Sequence, residues 1–161
     1  MHTEPGKEHR WLDRLVGEWM YEVEVSEPGK SPQKFRGTES VRSLGGLWIL
    51  GEGKGEMPGF GTATSVLTLG YDPQKACFVG SWVGSMMATM WVYQGHLDAA
   101  ERTLTLECEG PSMAGDGTIG KYRDVIRLDS DDQRTLSSHT LGADGGWHQF
   151  MTSTYRRTKS S

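Results

Sequence analysis

Gly17-Glu18-Trp19-Met20-Tyr21-Glu22-Val23-Glu24-Val25 is the stretch that decides the fold. Extended, it puts Trp19, Tyr21, Val23 and Val25 on one face and Glu18, Met20, Glu22 and Glu24 on the other. A period of two with one apolar face is a half-buried antiparallel strand. Just upstream the period differs. Lys7 to Val16 (KEHRWLDRLV) gathers Trp11, Leu12, Leu15 and Val16 into a single helical stripe. Gly17 follows as a helix-ending glycine.

Downstream, similar runs recur over 34–43, 47–56, 61–70, 76–84, 87–97, 102–109, 117–128, 133–141 and 147–157. They are cut by Gly45-Gly46, Met57-Pro58-Gly59, Tyr71-Asp72-Pro73, Asp98-Ala99-Ala100, Asp129-Ser130-Asp131-Asp132 and Ala143-Asp144-Gly145-Gly146. Each break offers a fixed proline φ, a glycine able to take positive φ, or an Asp that bonds its own backbone. With the first strand the count is about ten. Left open, so long a hairpin-linked sheet would expose two edges, and closure removes both. A two-sheet sandwich needs long crossings that the sequence does not show. The expected fold is all-β: one up-and-down antiparallel barrel with a short N-terminal helix.

The 161 residues suit one domain, helix over 1–16 and barrel over 17–157. No run of about eighteen apolar residues exists, so no helical membrane span is expected. A net charge of −4 argues against a nucleic-acid partner, whose phosphates demand a basic face. Cys77 and Cys108 are too few for a disulfide scaffold and read as packing groups. No signal-peptide pattern opens the chain, so a cytoplasmic location is the expectation.

The helix followed by Gly17-Glu18-Trp19 resembles the G-x-W opening of the calycin superfamily, lipocalins and fatty-acid-binding proteins included. That resemblance implies that Trp19 plugs one barrel end under an arginine from the last strand, Arg156 or Arg157. Further blocks agree in order: Gly37 to Trp48 (GTESVRSLGGLW), Leu69 to Pro73 (LGYDP), Val79 to Met87 (VGSWVGSMM) and Lys121 to Asp124 (KYRD). Together they resemble a bacterial, lipocalin-like family, domain of unknown function 1579. The resemblance implies the barrel and supplies no reaction.

Several motifs fall to their context. Gly115 to Gly120 (GDGTIG) with Lys121 nearly matches a phosphate loop. Such a loop needs a helix after it, whereas residues 121–128 read as strand. Gly51, Gly53 and Gly55 alternate as a kink or a close backbone approach would require. The five histidines form no paired metal motif, and no metal site is expected. His139 and His148 face opposite sides of the last hairpin, and whichever turns inward could ligate haem, as the resemblance to nitrobindin-like barrels implies; no cofactor is otherwise expected.

Two features point to a cavity. Trp82, Met86, Met87, Met90, Trp91 and Tyr93 form a wide, polarisable group, suited equally to core packing and to a wall around a loosely specified apolar ligand. Alternation also turns Glu39 inward, where a carboxylate needs a partner, Arg123 being the expected one. The sequence therefore leads to a barrel binding a small apolar molecule. Its walls would be Trp48, Trp82, Met87, Trp91 and Met151, with Glu39, Arg123 and His139 as polar anchors. An isomerase or lyase using the same cavity is the alternative. A tryptophan left outside would suggest a homodimer face.

Overall fold

The computed structural model describes residues 2–27 and 29–160, without the side chains of 159 and 160. The described residues form helix α1 (Lys7–Asp13) and strands β1 (Gly17–Val25), β2 (Gln33–Leu44), β3 (Trp48–Met57), β4 (Gly61–Asp72) and β5 (Cys77–Gly84). The chain continues through β6 (Trp91–Leu97), β7 (Thr103–Pro111), β8 (Ile119–Leu128), β9 (Gln133–Leu141) and β10 (Trp147–Ser160). Each strand pairs antiparallel with the next, and β10 returns to β1. The barrel is closed, so no strand edge is left to aggregate.

Alternation sets the register. Residues paired directly across two strands share a face, and Trp19 stands opposite Glu39 on β2 and Arg157 on β10. All three therefore turn into the barrel. The helix lies across one end. There Leu12, Leu15, Trp19, Ile49, Leu69, Phe78 and Leu104 are each no more than 1% exposed. Burying each such side chain contributes roughly 1.5–3 kcal/mol, which makes this end the stable core. Polar ties fix the helix over it. The Gly6 N–H donates to His9 Nδ1 (2.9 Å), leaving Nε2 to donate to the Tyr71 carbonyl (3.1 Å). The Trp11 indole N–H donates to the Glu101 carbonyl at 2.7 Å.

The helix is shorter than the periodicity predicts. It ends at Asp13, because the N–H groups of Arg14, Leu15 and Val16 bond carbonyls three residues back. That tighter winding turns the Arg14 and Val16 carbonyls toward Arg157. Strand β6 likewise begins at Trp91 rather than at 87: after Gly84 the chain turns, and residues 85–90 form a loop. Gly115 and Gly117 take φ of 68° and 79° in the β7–β8 turn, and strand β8 follows. No helix N-terminus stands there to hold a phosphate.

The glycines of β2 and β3 do make room. A Cβ on Gly55 would lie 2.5 Å from the Tyr21 hydroxyl, and one on Gly51 would lie 2.9 Å from Glu39 Oε2. The inner wall is thinned so that β1 and β2 side chains can cross it. Among the described residues, no helix is long and apolar enough to cross a membrane.

Candidate functional site

The interior has three tiers. At the bottom, Glu39 forms an ion pair with Arg134 of β9, both side chains buried. Arg134 also lies over two rings, its guanidinium carbon 3.9 Å from the Tyr155 ring centre and 4.7 Å from that of Trp19. The expected partner was Arg123, and the structure corrects it. Tyr122, Asp124, Ile126 and Leu128 turn inward on β8, so Arg123 between them turns outward. Burial, then the neighbouring Glu39 charge, pushes the Tyr21 and Tyr155 hydroxyls above the ordinary phenol range. Arg134 Nε and Ser153 Oγ are buried without a hydrogen-bond partner among the described residues.

Above this lies a second carboxyl. Asp124 turns inward from β8 and accepts hydrogen bonds from the Tyr93 hydroxyl (2.5 Å) and the Ser138 hydroxyl (2.7 Å). Desolvation holds its carboxyl above the usual carboxylate range, although both hydroxyls and the His139 charge pull the other way. Tyr93 is pushed well up by burial and by the Asp124 charge. Burial and the same charge push the Cys108 thiol up to about 12, leaving it unreactive near neutral pH. Cys77, on β5, is also a buried free thiol.

The third tier is the mouth opposite the helix. Trp82 and Trp91 face each other across β5 and β6. The Trp91 ring meets Tyr122 edge-on at 5.0 Å, and Tyr122 meets Phe150 at 6.2 Å. The Trp91 N–H donates to the sulfur of Met87 at 3.2 Å, which ties the loop of residues 85–90 to the rim. Met151 turns inward opposite Ser138. Phe150 joins this wall because a bulge between Gln149 and Met151 resets the alternation of β10.

Of the residues expected to line a cavity, the fold brings Glu39, Trp82, Trp91 and Met151 into the interior and sets Met87 at its rim. The other three lie elsewhere. Trp48 is outside, 41% exposed, its ring lying over Gly70. The outward Arg123 guanidinium sits 4.1 Å from the Trp147 ring centre and 3.5 Å from a Glu107 oxygen. His139 is outside too, opposite Arg123, with its Nε2 3.0 Å from the Ser137 hydroxyl. Burial and the Arg123 charge lower its pKa, with Asp124 opposing. An outward His139 cannot ligate a haem inside the barrel, whereas His148, opposite Thr140, turns inward at the rim.

At the plugged end the resemblance named two arginines. Arg157 covers Trp19 at 4.2 Å, while Arg156 is exposed. Sequence reasoning missed Arg134, Ser138 and the pairing of Asp124 with Tyr93. Their signal was alternation: Arg134, Leu136 and Ser138 share one face, as do Tyr122, Asp124 and Ile126. Two clefts of about 260 and 250 Å³ flank the helix at the plugged end. The first is lined chiefly by charged and polar residues, among them Asp131, Asp132 and Arg157, and the second mixes Lys7, Glu8 and Asp98 with Tyr71, Phe78 and Leu97.

Comparison with known proteins agrees with this architecture. The family described as "Protein of unknown function (DUF1579)" matches residues 4–157. No curated protein matches the chain. The crystal structure of Rv2717c from M. tuberculosis is similar at a TM-score of 0.63 and 13% identity, covering 96% of this chain and 99% of that one. The S-type phycobiliprotein lyase CPES from Guillardia theta is similar at a TM-score of 0.58 and 12% identity, covering 94% and 93%. At such identities the likeness is one of fold.

Proposed function

The chain belongs to that family of unknown function, whose description carries no reaction, and from this premise we propose that it binds a small, mostly apolar molecule in the barrel mouth. One observation carries the reading. The inward side chains Trp82, Trp91, Phe150 and Met151 keep solvent-accessible surface, whereas the inward side chains beneath the helix keep almost none. Aromatic and thioether groups turned into a cup and left accessible are a surface awaiting a partner. Polar groups below them can fix its orientation: Asp124, Ser153 and the free Arg134 N–H. Small barrels of this kind do hold single ligands. The Guillardia theta relative in fold is named a lyase of phycobiliproteins, which supports a barrel of this form as a working scaffold and no more.

The test is titration with the neutral dye Nile red, wild type against Trp82→Ala and Trp91→Ala, with native mass spectrometry of freshly purified protein. Saturable fluorescence that weakens about tenfold in each variant supports the mouth, since each removes one large apolar contact. Equal binding by all three proteins overturns it.

A second reading is favoured by Asp124. A desolvated carboxyl with a tyrosine at 2.5 Å is equipped to hand over or accept a proton, as an isomerase or lyase requires. Incubation of wild type and Asp124→Asn with a small-molecule extract tests it. Product that forms only with wild type supports catalysis, and identical metabolite profiles overturn it.

A further inference from the structure

The charges inside the barrel balance in number but not in place. Among the described residues, those turned inward with a formal charge are Glu39, Asp124, Arg134 and Arg157. His148, inward by its pairing with Thr140, lies exposed at the rim against Asp144. Arg157 is committed to the plugged end, donating to the carbonyls of Val16 and Arg14 at 2.6 and 2.9 Å. Arg134 is committed to Glu39. Asp124 alone has no interior cation. Its two bonded partners, Tyr93 and Ser138, are neutral hydroxyls, and Arg123 and His139 stand on the outer face. A carboxylate oxygen accepts two hydrogen bonds, so each Asp124 oxygen keeps one site open.

Position adds to charge. On β8, Tyr122 is the next inward residue toward the mouth, and its ring joins those of Trp91 and Phe150. The negative group thus lies at the foot of an aromatic wall. Ring faces attract cations and repel anions, so wall and floor select the same sign of charge. Both also suit an apolar body above the charged head.

We infer that the mouth takes an organic cation: a protonated amine whose N–H groups bond Asp124 and whose apolar or aromatic body lies against Trp82, Trp91 and Phe150. The inference rests on the mouth being the binding site and adds the ligand's chemical class. Binding supplies the missing counter-charge, so Asp124 contributes more affinity for the ammonium than for a neutral isostere, which offers it a hydroxyl but no charge. An anion meets the Asp124 charge and is rejected.

Three probes of one shape test this: 2-(1-naphthyl)ethylamine, 2-(1-naphthyl)ethanol and 1-naphthaleneacetate, titrated by calorimetry at pH 7.5. The ammonium should bind about tenfold tighter than the alcohol, the ordinary gain from a charge-assisted hydrogen bond, and the anion weakest. In Asp124→Asn the ratio of ammonium to alcohol affinity should fall to about one, and a ratio that stays near tenfold overturns the inference. A second measurement needs no variant. In wild type the preference should shrink as pH falls and Asp124 takes up its proton, with alcohol affinity changing far less than that of the ammonium. The groups that could confuse this are Tyr93 and Cys108 beside Asp124, His148 at the rim and, from outside, His139 and Arg123. The first two stay protonated throughout, Arg123 keeps its charge, and His139→Gln with His148→Gln removes both imidazoles. Equal binding of amine and alcohol, or tightest binding of the anion, overturns the inference while leaving the mouth in place. Failure of all three to bind overturns the inference and the mouth together.

Discussion

Arg157 lies over the indole of Trp19 with its guanidinium carbon 4.2 Å from the ring centre, and its two terminal nitrogens donate to the carbonyls of Val16 and Arg14. One side chain from the end of β10 thus closes the barrel seam, covers its plug and satisfies the backbone where the helix unwinds. The planar fork of arginine makes all three contacts at once, which lysine cannot. Arg157→Ala should therefore cost about 2–4 kcal/mol, the sum of one cation–π contact and charge-assisted hydrogen bonds. Arg156→Ala should cost under about 0.5 kcal/mol, as exposed substitutions do. Urea denaturation checks both, and equal losses would remove the assignment of Arg157 as the cover.

The Glu39–Arg134 pair should behave as a buried pair. Glu39→Gln leaves the Arg134 charge uncompensated and should destabilise by about 3–5 kcal/mol. Replacing both, Glu39→Leu with Arg134→Met, should cost less than either single change, because no charge is then left buried. A double-mutant cycle by chemical denaturation reads the coupling. Additive single costs would show that the two side chains act independently.

Trp48 and Gly70 are paired across β3 and β4, and the ring occupies the space where a Gly70 Cβ would stand, 2.3 Å from a ring carbon. Gly70→Ala must therefore displace the indole, at about 1–3 kcal/mol for overpacking. Adding Trp48→Ala should recover most of that loss. If the double variant is as unstable as Gly70→Ala, Trp48 does not lie where the fold puts it.

Asp124 gives stability a pH dependence of its own. Its folded carboxyl titrates above the ordinary 3.8, so the folded state holds the proton more tightly than the unfolded chain. The stability this adds is fully present below 3.8 and is lost as pH rises through the folded value. Asp124→Asn removes the charge and keeps a polar group between Tyr93 and Ser138. Its Tm, measured against wild type, should rise progressively from pH 3.5 to pH 7, within the ordinary carboxylate range and above it. A difference that is constant or falls with pH would show that Asp124 is not a desolvated acid.

Fold and site were not equally legible in the sequence. Alternation at Trp19, Tyr21, Val23 and Val25, repeated in nine further runs, contains the barrel, because side-chain period and edge removal are local and topological constraints on the chain itself. It also contains the inward position of Glu39, Trp82 and Trp91. The helix was overrun by three residues, since hydrophobic periodicity continues past Asp13 while the backbone is already being drawn toward Arg157, which lies more than a hundred positions away. Which residue pairs with Glu39 depends on how far β9 slides against β8 and how the barrel curves. A register is a property of two strands together, and so Arg134 emerged only on closure. Asp124 was legible as a face and not as an uncompensated charge, because that description requires knowing that Arg134 and Arg157 are already engaged. The sequence by itself determined the strands and the inward faces of Trp19, Glu39, Trp82 and Trp91; the tertiary structure decided which face of β3, β8 and β9 turns inward and which residues meet, because faces and contacts in a closed barrel are set by register, stagger and curvature that no single strand encodes.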